Sequence, residues 1–201
     1  TIEGSSGVCL SGTAYLAKNE IGQAIGEFQR LLSVDPADDQ GHYHLGLTYL
    51  AIRSLPLAQR ELLEAVRLNP GLSQARLALA DLYYLAGSYD QAVEQGVEVL
   101  RREPDNRRAH LILGECLIQK GAWEVAAGEF RIAQRMESGD PAAAYGLGRI
   151  AALRKDSRQA LAHYEDSIRL NPWRVDVLEE IVSFYLQEGR VQVAIDRCLS
   201  Q

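Results

Sequence analysis

Six alanines, Ala24, Ala58, Ala92, Ala126, Ala160 and Ala194, follow one another at an unbroken interval of 34 residues. One such column could be chance, but others run in phase with it. Gly12, Gly46, Ala80, Gly114 and Gly148 form a column of small residues. Leu45, Leu79, Leu113, Leu147 and Ile181 form an aliphatic one, from which Ser11 departs. Tyr15, Tyr49, Tyr83 and Tyr185 form an aromatic one, broken by Leu117 and Ala151. Pro36, Pro70 and Pro104 keep the same interval, and Pro172 rejoins it two periods later, with Ser138 in the slot between. The heptad Glu64–Pro70 (EAVRLNP) returns three periods on as Asp166–Pro172 (DSIRLNP). A period of this length confines the chain to a stack of small units, none of which can bury its apolar face alone.

Each period reads as two helices. In the second, Tyr43, Leu47 and Leu50 recur at helical spacing, joined by Leu45 and Tyr49 on a neighbouring stripe. Pro56 falls near the first turn of the helix that follows, where its missing N–H costs little. Pro70 lies just past that helix and prevents it from continuing. Gly87, Gly121 and Gly189 separate paired helices at places suited to a left-handed C-terminal cap. The small-residue columns predict helix crossings where two backbones approach closely.

The Leu45-Gly46-x-x-Tyr49 core, the alanine column, an aromatic four residues after it (Phe28, Phe130, Tyr164) and the closing proline together resemble the tetratricopeptide repeat family. The resemblance covers almost the whole chain. It implies an all-α, right-handed superhelical solenoid of antiparallel helix pairs, a single domain over residues 1–201. Five full repeats are placed at 5–38, 39–72, 73–106, 107–140 and 141–174, with a partial sixth at 175–201. Gly96 departs from the pattern by taking an aromatic place, and Ser138 by replacing a proline, although Pro141 can start the next helix. Gly26, Gly96 and Gly128 sit inside second helices, at about 1 kcal/mol each against alanine in an exposed helix.

In this family the first helix of each pair lines a concave surface. The resemblance therefore implies a partner-binding groove near Tyr43, His44, Leu47, Leu77, Asp81, Tyr84, Arg108, Leu111, Ile112, Glu115, Tyr145, Arg149 and Glu179. Such a mixture of apolar, aromatic and charged groups suits an amphipathic helix or extended segment of another protein. Packing between neighbouring first helices is the alternative for each of the apolar residues. One subset of the family clamps a chaperone's C-terminal carboxylate with Lys and Asn. The matching columns here hold Cys9, Tyr43 and Leu77, then Thr13 and Leu47, so that role is not expected. Glu115 and Arg149 occupy equivalent places in adjacent repeats and are expected to pair, preferentially as a surface ion pair.

Composition narrows the function further. A formal charge of −6, from 27 acidic and 21 basic residues, disfavours a general nucleic-acid binder. The one basic cluster, RREPDNRR from Arg101 to Arg108, holds too few arginines for a nucleic-acid stripe. Arg107 and Arg108 open a helix, where the macrodipole disfavours positive charge. That hints at an anionic partner, with a solvated loop the preferred reading. No apolar run approaches the ~20 residues that span a bilayer. Cys9, Cys116 and Cys198 are odd in number and scattered, so free thiols are expected. No phosphate-binding or nucleophile-elbow motif appears. His42 and His44 point to different faces of one helix, and His110 and His163 have no visible metal partners. Neither catalysis nor a cofactor is expected.

Two functional classes fit. One is an adaptor or assembly factor whose groove captures a segment of a partner protein. The other is the targeting or regulatory region of a larger enzyme or envelope export protein. The final stretch carries Val193, Ala194, Ile195 and Leu199, an apolar face that predicts more chain after Gln201 or self-association through that end. The Ala-, Leu- and Arg-rich style with few lysines looks bacterial. It leaves the compartment, cytoplasmic or periplasmic, open.

Overall fold

Helices of 13 or 14 residues make about four turns each, and two of them with their two connections fill one 34-residue period. The computed structural model describes residues 11–137 and 139–199. Cys9, Ser138 and Gln201, all named above, lie outside them. The described residues are helical throughout, with no strand. The chain divides into two compact units, Thr1–Arg102 and Glu103–Gln201.

The first unit contains α1 (helical over 11–17), α2 (Ile21–Val34), α3 (Asp39–Ala51), α4 (Leu55–Leu68), α5 (Ser73–Leu85) and α6 (Tyr89–Arg102). The second contains α7 (Arg107–Gln119), α8 (Trp123–Met136), α9 (Pro141–Leu153), α10 (Ser157–Leu170), α11 (Val175–Gln187) and α12 (Val191–Leu199). Within each unit, substantial packing joins helices adjacent in the chain, and first helices also meet, α3 with α5 and α7 with α9. The alanine column is buried at every position, from Ala24 to Ala194.

Start and stop signals act as the sequence implies. Pro56 and Pro141 occupy first-turn positions of α4 and α9. The Asp38, Asn106, Asp140 and Asp156 side chains accept hydrogen bonds from backbone N–H groups in the first turns of α3, α7, α9 and α10. Gly87, Gly121 and Gly189 turn left-handed, at φ +74°, +75° and +73°. The same slot in the other three hairpins is also left-handed but holds Asn19, Arg53 and Lys155, at φ 60°, 55° and 62°. The turn geometry therefore repeats six times, although glycine marks only half of it.

The small column faces the position four residues after the column alanine of its own repeat. A Cβ added at Gly12, Gly46, Gly114 or Gly148 would fall 2.6, 2.7, 2.7 or 2.5 Å from Phe28, Leu62, Phe130 or Tyr164 respectively. In the third pair the register sets Ala80 against Gly96, and both are buried. Gly96 is thus complementary to its partner: a larger residue on the first helix is matched by a smaller one on the second.

Polar pairs recur at fixed offsets as well. His42 Nδ1 lies 2.7 Å from Glu61 Oε2, and its Nε2 3.2 Å from the Pro36 carbonyl oxygen. His110 repeats this with Glu129 at 2.6 Å and Pro104 at 3.0 Å. Arg76 fills the slot between them, donating to Gln95 (3.0 Å) and to the Pro70 carbonyl (3.2 Å). Each of these residues fastens its helix to the next helix and to the loop before it. Arg107 donates to the buried Asp140 and, at 3.1 Å, to Glu137. The hint of an anionic partner at Arg107 is therefore overturned. Carboxylates at the far end of the same hairpin answer its charge.

Cys116 is buried and Cys198 exposed, both as free thiols. On α12, Ala194 is buried while Ile195 and Leu199 are exposed. No helix among the described residues is long and apolar enough to cross a membrane.

Candidate functional site

The expected groove residues divide between the two units. In the first, Tyr43, His44 and Leu47 on α3 are half-buried. Tyr43 packs on the core of Ala65, Leu72 and Ala75. His44 stacks on Phe28, with ring centres 5.6 Å apart and planes at 11°, and touches Tyr43 at 5.0 Å. Burial holds its imidazole below the ordinary histidine range, opposed in part by Asp38. On α5, Leu77 is buried at 5% exposure, while Asp81 and Tyr84 are half-buried. Tyr84 packs against Tyr89 at 5.7 Å.

In the second unit Arg108 is exposed, Leu111 half-buried and Ile112 buried at 8% exposure. Here the first helices α7, α9 and α11 frame an open cleft of ≈ 540 Å³. Ile118 and Gln119 line it from α7, Arg149, Ala152 and Leu153 from α9, and Glu180 from α11. Trp123 and Tyr164 add aromatic surface from second helices. Sequence reasoning did not single out Ile118, Trp123, Leu153 or Glu180. A signal existed in Trp123, a large aromatic two residues past the left-handed Gly121.

Charges around the cleft are organised. Arg149 donates to Glu115, and both side chains are about a quarter exposed, so the pair sits deeper than a surface ion pair. The Arg149 and Arg174 guanidinium carbons lie 5.7 and 4.5 Å from the centre of the Tyr145 ring. Arg174 in turn grips Asp176 through two bonds, of 3.1 and 2.5 Å. Burial pushes the Tyr145 and Tyr164 hydroxyls up, and the Glu180 carboxylate adds to both shifts. Both phenols remain neutral donors at physiological pH. Glu179 and Glu180, adjacent and exposed on α11, take part in none of the ion pairs just described.

Apolar walls supply contact area, fixed charge pairs supply orientation, and the cleft is open to solvent. Among the described residues no group of three or more His, Cys, Asp or Glu side chains is disposed to hold a metal ion.

Profiles for the tetratricopeptide repeat match residues 48–98, 77–141 and 123–172, and a TPR-repeat profile matches 12–52. The chain belongs to the tetratricopeptide repeat family. Its solved structural neighbours share that fold. The crystal structure of PilW, a type IV pilus biogenesis factor, aligns with a TM-score of 0.87 and 16% identity over 96% of this chain and 90% of its own. PilF of Pseudomonas aeruginosa aligns with a TM-score of 0.83 and 17% identity over 98% and 90%. YrrB, a TPR protein with an unusual peptide-binding site, aligns with a TM-score of 0.68 and 17% identity over 86% and 89%. At such identities the likeness is one of fold. No curated protein matches the chain. The tetratricopeptide fold is a protein-interaction scaffold, and its members bind protein partners and are in general not catalysts.

Proposed function

We propose that this chain is a non-catalytic scaffold whose first helices capture a peptide segment or helix of another protein during assembly of a larger bacterial complex. The observation that carries the reading is the second-unit cleft. Trp123, Leu153 and Ile118 line an open concavity while Arg149 and Glu115 are held in a fixed pair beside it. Apolar anchors in a pre-formed groove are what segment recognition uses. The peptide-binding site named for YrrB and the pilus role named for PilW are compatible with it. In the first unit, Tyr43, His44, Leu47, Asp81 and Tyr84 form a separate candidate surface.

Site-specific photocrosslinking in the native host tests this. A photoreactive residue at Leu153 is expected to trap one discrete protein through a defined segment, identified by mass spectrometry. The same residue at Leu57, exposed on the second helix α4, is expected to trap none. Equal crosslinking from both positions would defeat the groove assignment.

A further inference from the structure

The cleft in the second unit has a chemical bias. Its positive side chain, Arg149, is already bonded to Glu115, and the nearby Arg174 is bonded to Asp176. The charge these pairs leave over is negative: Glu180, which lines the cleft, and Glu179 beside it, both exposed. Trp123, Leu153 and Ile118 line the same cleft as Glu180 and offer a surface for one bulky apolar side chain. A second acidic segment laid here would meet like charge, and a neutral polar one would leave the apolar wall unused.

We infer that the second-unit cleft takes a basic, apolar segment of a partner protein. One large aliphatic or aromatic side chain rests on Trp123 and Leu153, and a flanking Lys or Arg reaches Glu180. This rests on the groove reading above and specifies the partner for it. Arg149 then acts as a wall held by Glu115 and by the Tyr145 face, not as an anion receptor.

The test uses the full 201-residue chain carrying Trp173→Phe, so that Trp123 is the remaining tryptophan. Trp173 is 88% exposed, and its replacement leaves the cores intact. Three synthetic peptides of equal length serve as probes: alternating Lys and Leu, alternating Glu and Leu, and alternating Lys and Ser. The Lys/Leu peptide is expected to shift Trp123 emission saturably and to bind more tightly than the other two. Glu180→Gln is expected to weaken it about fivefold, and added salt to weaken it likewise. Glu94→Gln, on the exposed side of α6, removes the same net charge and is expected to change nothing. Equal weakening by both variants, or none by Glu180→Gln, overturns the inference. Tighter binding of the Glu/Leu peptide overturns the basic partner but leaves the groove reading standing. Silence of Trp123 toward all three peptides overturns both.

Discussion

Two left-handed turns show what single residues cost here. Arg53 and Lys155 occupy backbone that glycine adopts in three other hairpins, and a side chain there costs about 1–2 kcal/mol. Part of that is returned because glycine loosens the unfolded chain more. Lys155→Gly is therefore expected to stabilise by about 0.5 kcal/mol, and Gly121→Ala to destabilise by about 1 kcal/mol. Urea midpoints of the two variants would carry opposite signs. A second residue-level effect is pH dependence. Burial lowers His44 and His163 from the ordinary value, against the pull of Asp38 and Asp166. The folded chain thus resists protons that the unfolded chain accepts near pH ~6.5. Stability from the neutral rings is complete above that value and is lost as pH falls through it towards the folded-state values. Urea midpoints measured from pH 7.5 down to 5.5 should fall less steeply in the double variant His44→Gln/His163→Gln than in the parent. Equal slopes would mean that neither ring contributes.

Between paired helices the quantity that matters is complementarity. The Gly46–Leu62 contact, and the Ala80 and Gly96 positions equivalent to it, meet the same steric demand with the bulk on opposite helices. Gly96→Leu alone should overpack against Ala80, at about 1–3 kcal/mol. Adding Ala80→Gly recreates the arrangement of the second repeat and should recover much of that loss. A double-mutant cycle reads the coupling directly, and additive effects would show that the two columns do not touch in this repeat. The polar fasteners belong to the same scale. His110→Ala removes the ring that lies within hydrogen-bond distance of both Glu129 and the Pro104 carbonyl and should cost about 2 kcal/mol by denaturation. The sequence allowed the helix pairs, the proline stops and the small columns to be read, because each repeats in phase. Gly96 looked like a defect, since its reason lies in Ala80, sixteen residues back on another helix. Arg53 and Lys155 were invisible as turn residues, since their types do not favour the left-handed conformation they adopt, which Asn19 tolerates. His42 and His110 could be matched to each other. Their common partner offset, Glu61 and Glu129, became meaningful only once the hairpin geometry was known. The cleft was least legible. Ile118 and Leu153 belong to helical stripes indistinguishable from core, and Glu180 gains its meaning from the apolar residues that share its cleft.

At the scale of the molecule, packing between sequence neighbours makes stability local. Phe130 is fully buried among Ala126, Ala133, Leu147 and Ile150, all on α8 and α9. Phe130→Ala should cost about 3–5 kcal/mol. In a chain whose helices pack on their neighbours, that loss should not spread evenly. Amide hydrogen exchange should quicken most in α7, α8 and α9, and least in α2, α3 and α4, whose core of Phe28, Leu31 and Leu62 is untouched. The cleft lies over the weakened helices, so the Lys/Leu peptide should lose affinity for this variant as well. A uniform loss of protection along the chain would show that the repeats unfold as one cooperative body. Groove and core would then be coupled through the whole array. Confined loss would instead let the second unit tune its grip on a partner by the packing beneath Trp123, with the first unit's helices keeping their own stability.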